Sequence, residues 1–291
     1  MIIAVVGPTA SGKTSLAVKI AKKIGGEVIS ADSRQVYKGM DIGSGKATKK
    51  EMTGIPHHLL DVASPKKQFT AAQFKRLAEK EIKKIIARKK IPIICGGTGF
   101  YIQTITEGIA IPEIKPDAAL RAKLEKETTE KLFARLKKLD PRRAKNIDRN
   151  NRRRLIRSLE IVIKSGKQIP ALKSEPKYKT LEIGIRRGGK ELKSLIKKRL
   201  LERLKKGMVK EVINLKKSGL SWKRLEDFGL EYRYIAYYLQ NKLSYGEMVE
   251  KLRREIEQYA KRQMTWFKKD KKIRWIKNVK QAEKLIKNFL L

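Results

Sequence analysis

The sequence predicts an α/β fold: a P-loop-type parallel sheet flanked by helices, with an all-helical insertion domain. Three observations carry the prediction. The apolar run of Ile2, Ile3, Val5 and Val6 leads into Gly7-Pro8-Thr9-Ala10-Ser11-Gly12-Lys13-Thr14, which satisfies G-x-x-x-x-G-K-[ST]. Strand-sized apolar runs then alternate with segments whose apolar residues recur at helical spacing, the order of a doubly wound sheet. Between Pro112 and Pro116 on one side and Pro170 and Pro176 on the other, the periodicity is helical throughout. The expected domains are therefore a P-loop catalytic core with a helical C-terminal part, residues 1–112 and 177–291, and a helical insertion, residues 113–176.

Composition narrows the class. With 291 residues, 41% hydrophobic and 35% charged, the chain has material for a sizeable core and is globular rather than disordered. The longest apolar runs are strand-sized, so no membrane span is expected, and the N-terminus enters a strand directly, without a signal peptide. Cys95 is the single cysteine, which excludes a disulfide within the chain; a cytoplasmic protein is expected. A net charge of +41, from 71 Lys plus Arg against 30 Asp plus Glu, points to a polyanion much larger than one nucleotide. A lysine-rich proteome accounts for part of that excess. It accounts poorly for clustered arginine: Arg142, Arg143, Lys145, Arg149, Arg152, Arg153, Arg154 and Arg157 stand against one acid, Asp148, a pattern suited to nucleic acid.

Each element follows in order. Gly7 and Gly12 let the first loop curl its N–H groups around an anion, and the helix beginning near Thr14 adds its positive end. Lys13 supplies a point charge for the outer phosphates, and the Thr14 hydroxyl is suited to Mg2+. Taken alone this loop predicts ATP or GTP. Leu16, Ile20, Ala21 and Ile24 form a helical stripe that Gly25-Gly26 ends, and Val28 to Ala31 is a second buried strand finishing in Asp32, beside the phosphates. The polar, glycine-rich stretch Gly39 to Lys46 reads as a functional loop. His57 and His58 are adjacent and lack a third ligand, so a turn or substrate-edge role is expected in place of a metal site. Thr70 starts a helix with Phe74, Leu77, Ala78, Ile82, Ile85 and Ile86 on its core face.

The third strand, Ile91 to Cys95, runs into Gly96-Gly97-Thr98-Gly99. A P-loop ATPase would have an acid there to hold magnesium; here the glycines permit close backbone approach and Thr98 offers a neutral hydroxyl. The insertion reads as helices over 118–127, 130–139 and 151–165, the last with Leu155, Ile156, Leu159 and Ile163 at helical spacing. Leu181, Ile183 and Ile185 alternate with polar residues or glycine and return the chain to the sheet. From Lys190 to about Lys217 the pattern is helical, interrupted by Gly207 and carrying Arg199. The remainder is helical and basic, with Trp266, Phe267 and Trp275 as packing aromatics. A phosphate loop, a carboxylate at the next strand's end and an arginine-rich insertion suggest a phosphorylated small molecule reacting with a nucleic acid. Asp32 then serves either a kinase, accepting a hydroxyl proton, or a reaction in which diphosphate leaves carbon. Spacing does not separate the two.

Six separated motifs carry a resemblance that does. They are the P-loop, Ser30 to Gly43, Pro56 to Asp61, Gly96 to Tyr101, Arg154 to Glu160 and Ala260 to Trp266. In order and over nearly the whole chain, they resemble the tRNA dimethylallyltransferase (tRNA isopentenyltransferase) family. The resemblance implies transfer of a dimethylallyl group from dimethylallyl diphosphate to the exocyclic N6 of adenosine 37, in tRNAs reading codons that begin with U. It implies that Asp32 deprotonates the attacking amine, that Lys13, Thr14, Arg199 and Mg2+ stabilise the leaving diphosphate, and that Thr98 lies at the reaction centre. The matching tRNA-contacting positions are Asp32, Ser33, Arg34 and Gln35, then Arg121, and Arg153, Arg154, Leu155, Ile156 and Arg157. Arg153-Arg154 departs from the Gln-Arg of many members, which favours phosphate over base contact there. The zinc finger of eukaryotic members has no counterpart, so a bacterial-type enzyme is expected, acting as a monomer with no membrane partner. A prenyltransferase of free adenine nucleotides and a P-loop kinase or RNA-binding ATPase are the alternatives. The basic insertion argues against the first, and the missing acid after Cys95 against the second.

Overall fold

Ile2–Val6 (β1) is buried at every residue, and its side chains divide between two layers. Ile2, Ala4 and Val6 face one layer while Ile3 and Val5 face the other, as the two-residue period of a strand covered on both sides requires. The computed structural model describes residues 1–112, 114–170 and 174–291. After the P-loop come α1 (Lys13–Ile24), β2 (Gly26–Ser30), α2 (Lys49–Met52), β3 (His57–His58), α3 (Ala71–Ala87), β4 (Ile91–Gly96) and α4 (Gly99–Thr106). Next are α5 (Ala118–Leu124), α6 (Thr129–Leu139), α7 (Pro141–Lys145) and α8 (Arg152–Ser165). The chain returns as β5 (Thr180–Ile185) and continues through α9 (Gly189–Lys205), α10 (Met208–Lys217), α11 (Trp222–Phe228), α12 (Leu230–Leu239), α13 (Tyr245–Phe267), β6 (Arg274–Ile276) and α14 (Val279–Leu290).

The sheet order is β3-β2-β4-β1-β5-β6 and every registered pair is parallel. Central β1 aligns Val5 with Cys95 on one side and Ile183 on the other. One face packs on α3 and α4 through Phe74, Ile82, Ile85, Ile102 and Ile105; the other packs on α1 and α14 through Leu16, Ile20, Ala282 and Ile286. Because the strands are parallel, the P-loop after β1, Asp32 after β2 and Thr98 after β4 all leave the sheet at its carboxyl edge. Two strands go beyond the sequence expectation. β3 and β6 are short edge strands, with His57 and His58 aligned on Val28 and Ile29, and Trp275 on Gly184. His58 Nε2 sits 2.7 Å from the Glu27 carboxylate, which also takes Arg88.

The chain divides into two compact units, Met1–Glu107 with Pro176–Leu291, and Gly108–Glu175. The expected boundary at residue 113 falls outside the described residues. In the first unit, α9 to α13 build a further apolar core around Met208, Val212, Tyr232, Ile235, Met248 and Leu252. Among the described residues the second unit has four helices, α5 to α8, around Leu124, Leu132, Leu136, Leu155, Ile156 and Leu159. The side chains of Leu155 and Ile156, two of the positions the resemblance gives to tRNA contact, are buried in this core and pack the helices. A fully buried carboxylate also organises the unit. Glu160 accepts two hydrogen bonds of 2.8 Å from Arg121, one of 2.7 Å from the Asp117 amide, and one from Arg157, whose other nitrogen donates to the Ile114 carbonyl. Burial alone would raise the pKa of Glu160; these donors outweigh it and hold the carboxyl below its ordinary range.

Candidate active site

A cavity of about 280 Å³ opens at the carboxyl edge of the sheet. That volume suits small reacting groups, not a folded polymer. Its floor is the P-loop. Gly12 takes φ 93° at the N-cap of α1, a left-handed conformation that suits glycine, and the Lys13 ammonium curls back to donate to the Pro8 carbonyl at 2.6 Å. Burial lowers the Lys13 pKa to about 8; Arg199 pushes the same way, while Cys95 and Asp32 offset part of the effect. Thr14 lines the cavity beside it, and the buried Ser11 hydroxyl has no partner among the described residues. An orphaned hydroxyl, a lysine and a helix N-terminus together fit an anion such as diphosphate.

Asp32 is fixed by its own turn. Its Oδ1 accepts from the Arg34 amide at 2.8 Å and the Gln35 amide at 3.3 Å, which leaves Oδ2 without a hydrogen-bond partner among the described residues. Thr98 does not line the cavity. It grips the residues on either side of Asp32 instead: its N–H donates to the Ala31 carbonyl at 3.2 Å and its Oγ1 accepts from the Ser33 amide at 3.0 Å. Gln35 accepts from the Ser30 hydroxyl at 2.9 Å and donates to the Gly45 carbonyl at 3.2 Å, while Arg34 donates to the Phe228 carbonyl at 2.7 Å. Thus Lys13, Thr14, Asp32, Ser33, Arg34, Gln35 and Arg199 share one cavity.

The other wall is cationic. Arg199 and Arg203 lie one turn apart on α9; Arg199 reaches the Gly45 carbonyl at 3.4 Å, and Arg203 reaches the Gly43 carbonyl at 3.3 Å and Glu231 at 3.2 Å. Burial, reinforced by Arg203, lowers the Arg199 pKa to about 10, and burial raises that of Glu231. The loop these arginines touch hangs from one carboxylate. Glu211 accepts from the successive amides of Asp41, Ile42 and Gly43 at 2.8, 2.6 and 3.0 Å, and from the Tyr232 hydroxyl at 3.0 Å. His57 also lines the cavity, its Nδ1 2.9 Å from the Ile55 carbonyl; burial lowers its pKa.

Sequence reasoning left Arg203, Glu231, Glu211 and Gln263 unassigned. Arg203 carried a signal, its four-residue spacing from Arg199, and Gln263 lay inside the Ala260 to Trp266 motif. Glu211 and Glu231 have no local signature, since their partners come from distant segments, the Asp41–Gly43 loop and α12 for Glu211 and α9 for Glu231. Gln263 is buried and bridges two loops: its Oε1 accepts from the Thr9 amide at 2.8 Å, and its Nε2 donates to the Gly97 carbonyl at 2.9 Å. The glycines after β4 make room for the approach of α13, and Gly97 also lines the cavity. A β-carbon on Gly97 would lie 2.3 Å from Gln263 Nε2, and one on Gly99 would lie 2.3 Å from the Trp266 indole.

In the helical unit, the arginine cluster sorts into two groups. Arg142, Arg143 and Arg152 donate to Ile169, Ser158 and Glu125, and Arg121 and Arg157 are held by Glu160. Lys145, Arg149, Arg153 and Arg154 are exposed, with no side-chain partner among the described residues. As for a metal, the described residues contain no group of three His, Cys, Asp or Glu side chains able to hold one. A magnesium ion would fit through Thr14 and the phosphates themselves, the usual arrangement for Mg2+, which keeps few protein ligands.

Comparison with known proteins bears on this cavity and this insertion together. The model of the IPP transferase family matches residues 35–270. A tRNA dimethylallyltransferase of Acetivibrio thermocellus is 42% identical over 298 residues, covering 99% of this chain and 95% of that one. The crystal structure of a full-length tRNA isopentenylpyrophosphate transferase from Bacillus halodurans superposes with a TM-score of 0.76 at 34% identity, covering 99% of this chain and 96% of the other. A eukaryotic dimethylallyltransferase described as acting on tRNA superposes with a TM-score of 0.78 at 28% identity, covering 91% of this chain and 69% of its own.

Proposed function

The chain belongs to the IPP transferase family and transfers a dimethylallyl group to tRNA; we propose that the acceptor is N6 of adenosine 37 in tRNAs reading codons that begin with U. Dimethylallyl diphosphate is the donor, and N6-isopentenyladenosine and diphosphate are the products. The observation that carries this reading is the bracketing of Asp32 by Thr98, on the same cavity as the P-loop. A carboxylate held at Oδ1, with Oδ2 free, is placed to take a proton from a nucleophile while the loop holds a leaving group.

In the reaction, the N6 lone pair forms the bond to the terminal allylic carbon, the carbon–oxygen bond to diphosphate breaks, and the N6 proton passes to Asp32. An allylic carbon ionises readily, so neutralising the departing charge is the larger share of the catalysis. Lys13 and Arg199 supply that neutralisation, and Mg2+, held by Thr14 and the phosphates, would add to it. The cavity admits one base, so the adenine must leave its stack to reach Asp32, as other base-modifying enzymes require. The exposed Arg153 and Arg154, with Lys145 and Arg149, are proposed to grip the tRNA backbone.

Radiolabelled dimethylallyl diphosphate with unmodified tRNA tests the reading: label is expected on the adenosine next to the anticodon. Label on free AMP alone would mark a nucleotide prenyltransferase. ATP hydrolysis without transfer would mark a P-loop ATPase.

A further inference from the structure

The two loops that must meet in this reaction are tied together by one side chain. The P-loop, for the leaving diphosphate, gives its Thr9 N–H to Gln263 Oε1; the turn after β4 gives its Gly97 carbonyl to Gln263 Nε2. The next residue, Thr98, holds Ala31 and Ser33, and so Asp32 between them. An unbroken path therefore runs from the diphosphate loop through Gln263, Gly97 and Thr98 to the carboxylate. A side-chain amide serves both ends, its oxygen accepting from one loop and its nitrogen donating to the other. The fit is close: Gly97 has no room for a β-carbon beside Gln263 Nε2, although its φ is not in the left-handed region and its backbone would admit alanine.

We propose that Gln263 is a positioning residue that sets the distance and angle between the bound diphosphate and Asp32, so that it acts on the chemical step and not on binding. The proposal rests on the dimethylallyl-transfer reading. Misplacing reacting groups by an ångström lowers turnover without removing the contacts that bind substrate. Gln263→Met keeps the shape and removes both hydrogen bonds. It is expected to lower kcat about 10- to 100-fold while the KM values for dimethylallyl diphosphate and tRNA stay within about threefold.

The split between kcat and KM is the readout that a merely structural role would not move, and a double-mutant cycle adds the coupling of Gly97 to the amide. Gly97→Ala should displace the amide and reproduce the Gln263→Met loss in the native background. In a Gln263→Ala background there is no amide to displace, and the same change should cost less than about twofold. Thermal unfolding of each variant shows whether it is folded, and Gln263→Met tests the proposal even where the double variant is not. A KM increase with kcat retained would overturn it, as would a Gly97→Ala loss that is the same whatever occupies position 263. Wild-type protein run alongside separates the two failures: if it transfers no label, the functional reading falls; if it does and the variants keep its kcat, the positioning role falls.

Discussion

Lys13 makes the affinity for the prenyl donor a titration. Its side chain is partly buried at the P-loop, desolvation lowers its pKa to about 8, and its hydrogen bond to the Pro8 carbonyl can be donated by the amine as well as by the ammonium. Only the charged form attracts the diphosphate. At pH 7 roughly ten in eleven free molecules carry that charge, and at pH 9 roughly one in eleven. The dissociation constant for dimethylallyl diphosphate, measured without tRNA, should therefore rise about tenfold from pH 7 to pH 9. The sign follows from burial: a depressed lysine pKa loses its cation as pH rises through 8, and bound anion restores it. The same linkage requires proton uptake on binding, about half a proton at pH 8, which calorimetry in two buffers of different ionisation enthalpy would read. Lys13→Met should bind weakly at both pH values and flatten the profile. A wild-type affinity flat to pH 9, or binding without proton uptake at pH 8, would refute the argument.

Three further outcomes are expected. Asp32→Ala should lower turnover by about 10²- to 10⁴-fold, the usual worth of a general base, with tRNA affinity within about threefold; unchanged turnover would remove Asp32 from the chemistry. Substituting Arg153 and Arg154 together by alanine should weaken tRNA binding and flatten the log–log salt dependence by about 1.5 units, at 0.7 to 0.9 per phosphate contact, and an unaltered slope would mean that they face solvent. Glu160→Ala should destabilise the full-length protein by about 3 kcal/mol in urea titration, the lower end for a broken buried ion pair, because water can partly reach the orphaned arginines. Equal stability would mean that Arg121 and Arg157 need no counter-ion.

What the sequence disclosed and what it hid divide along a physical line. The P-loop, the buried runs of β1, β2 and β4 and the helix starting at Thr70 are local patterns, written in spacing and capping residues, and they were legible. β3 and β6 were not, because a strand of two or three residues has no period to detect; its pairing is supplied by Val28, Ile29 and Gly184. The purpose of Gly97 and Gly99 was hidden for the same reason, since the helix pressed against them begins 146 residues after Gly99. Motif and periodicity also gave different answers at Leu155 and Ile156. Motif matching lists them among the RNA-contacting positions, while their helical spacing places them in a core, and the core is where their side chains lie.

The loop hung from Glu211 has a consequence for traffic of negative charge. Three successive amides turned toward one acceptor are a backbone grip for anions, the same device as the P-loop. Here the grip is already closed on a carboxylate of the protein itself. The two cradles thus differ in what they face: the P-loop opens on the cavity, while the amides of Asp41, Ile42 and Gly43 face Glu211. Because these amides are already satisfied from within, they are not available as donors to an incoming phosphate, whereas Lys13 and the helix N-terminus beside it carry no such internal carboxylate among the described residues.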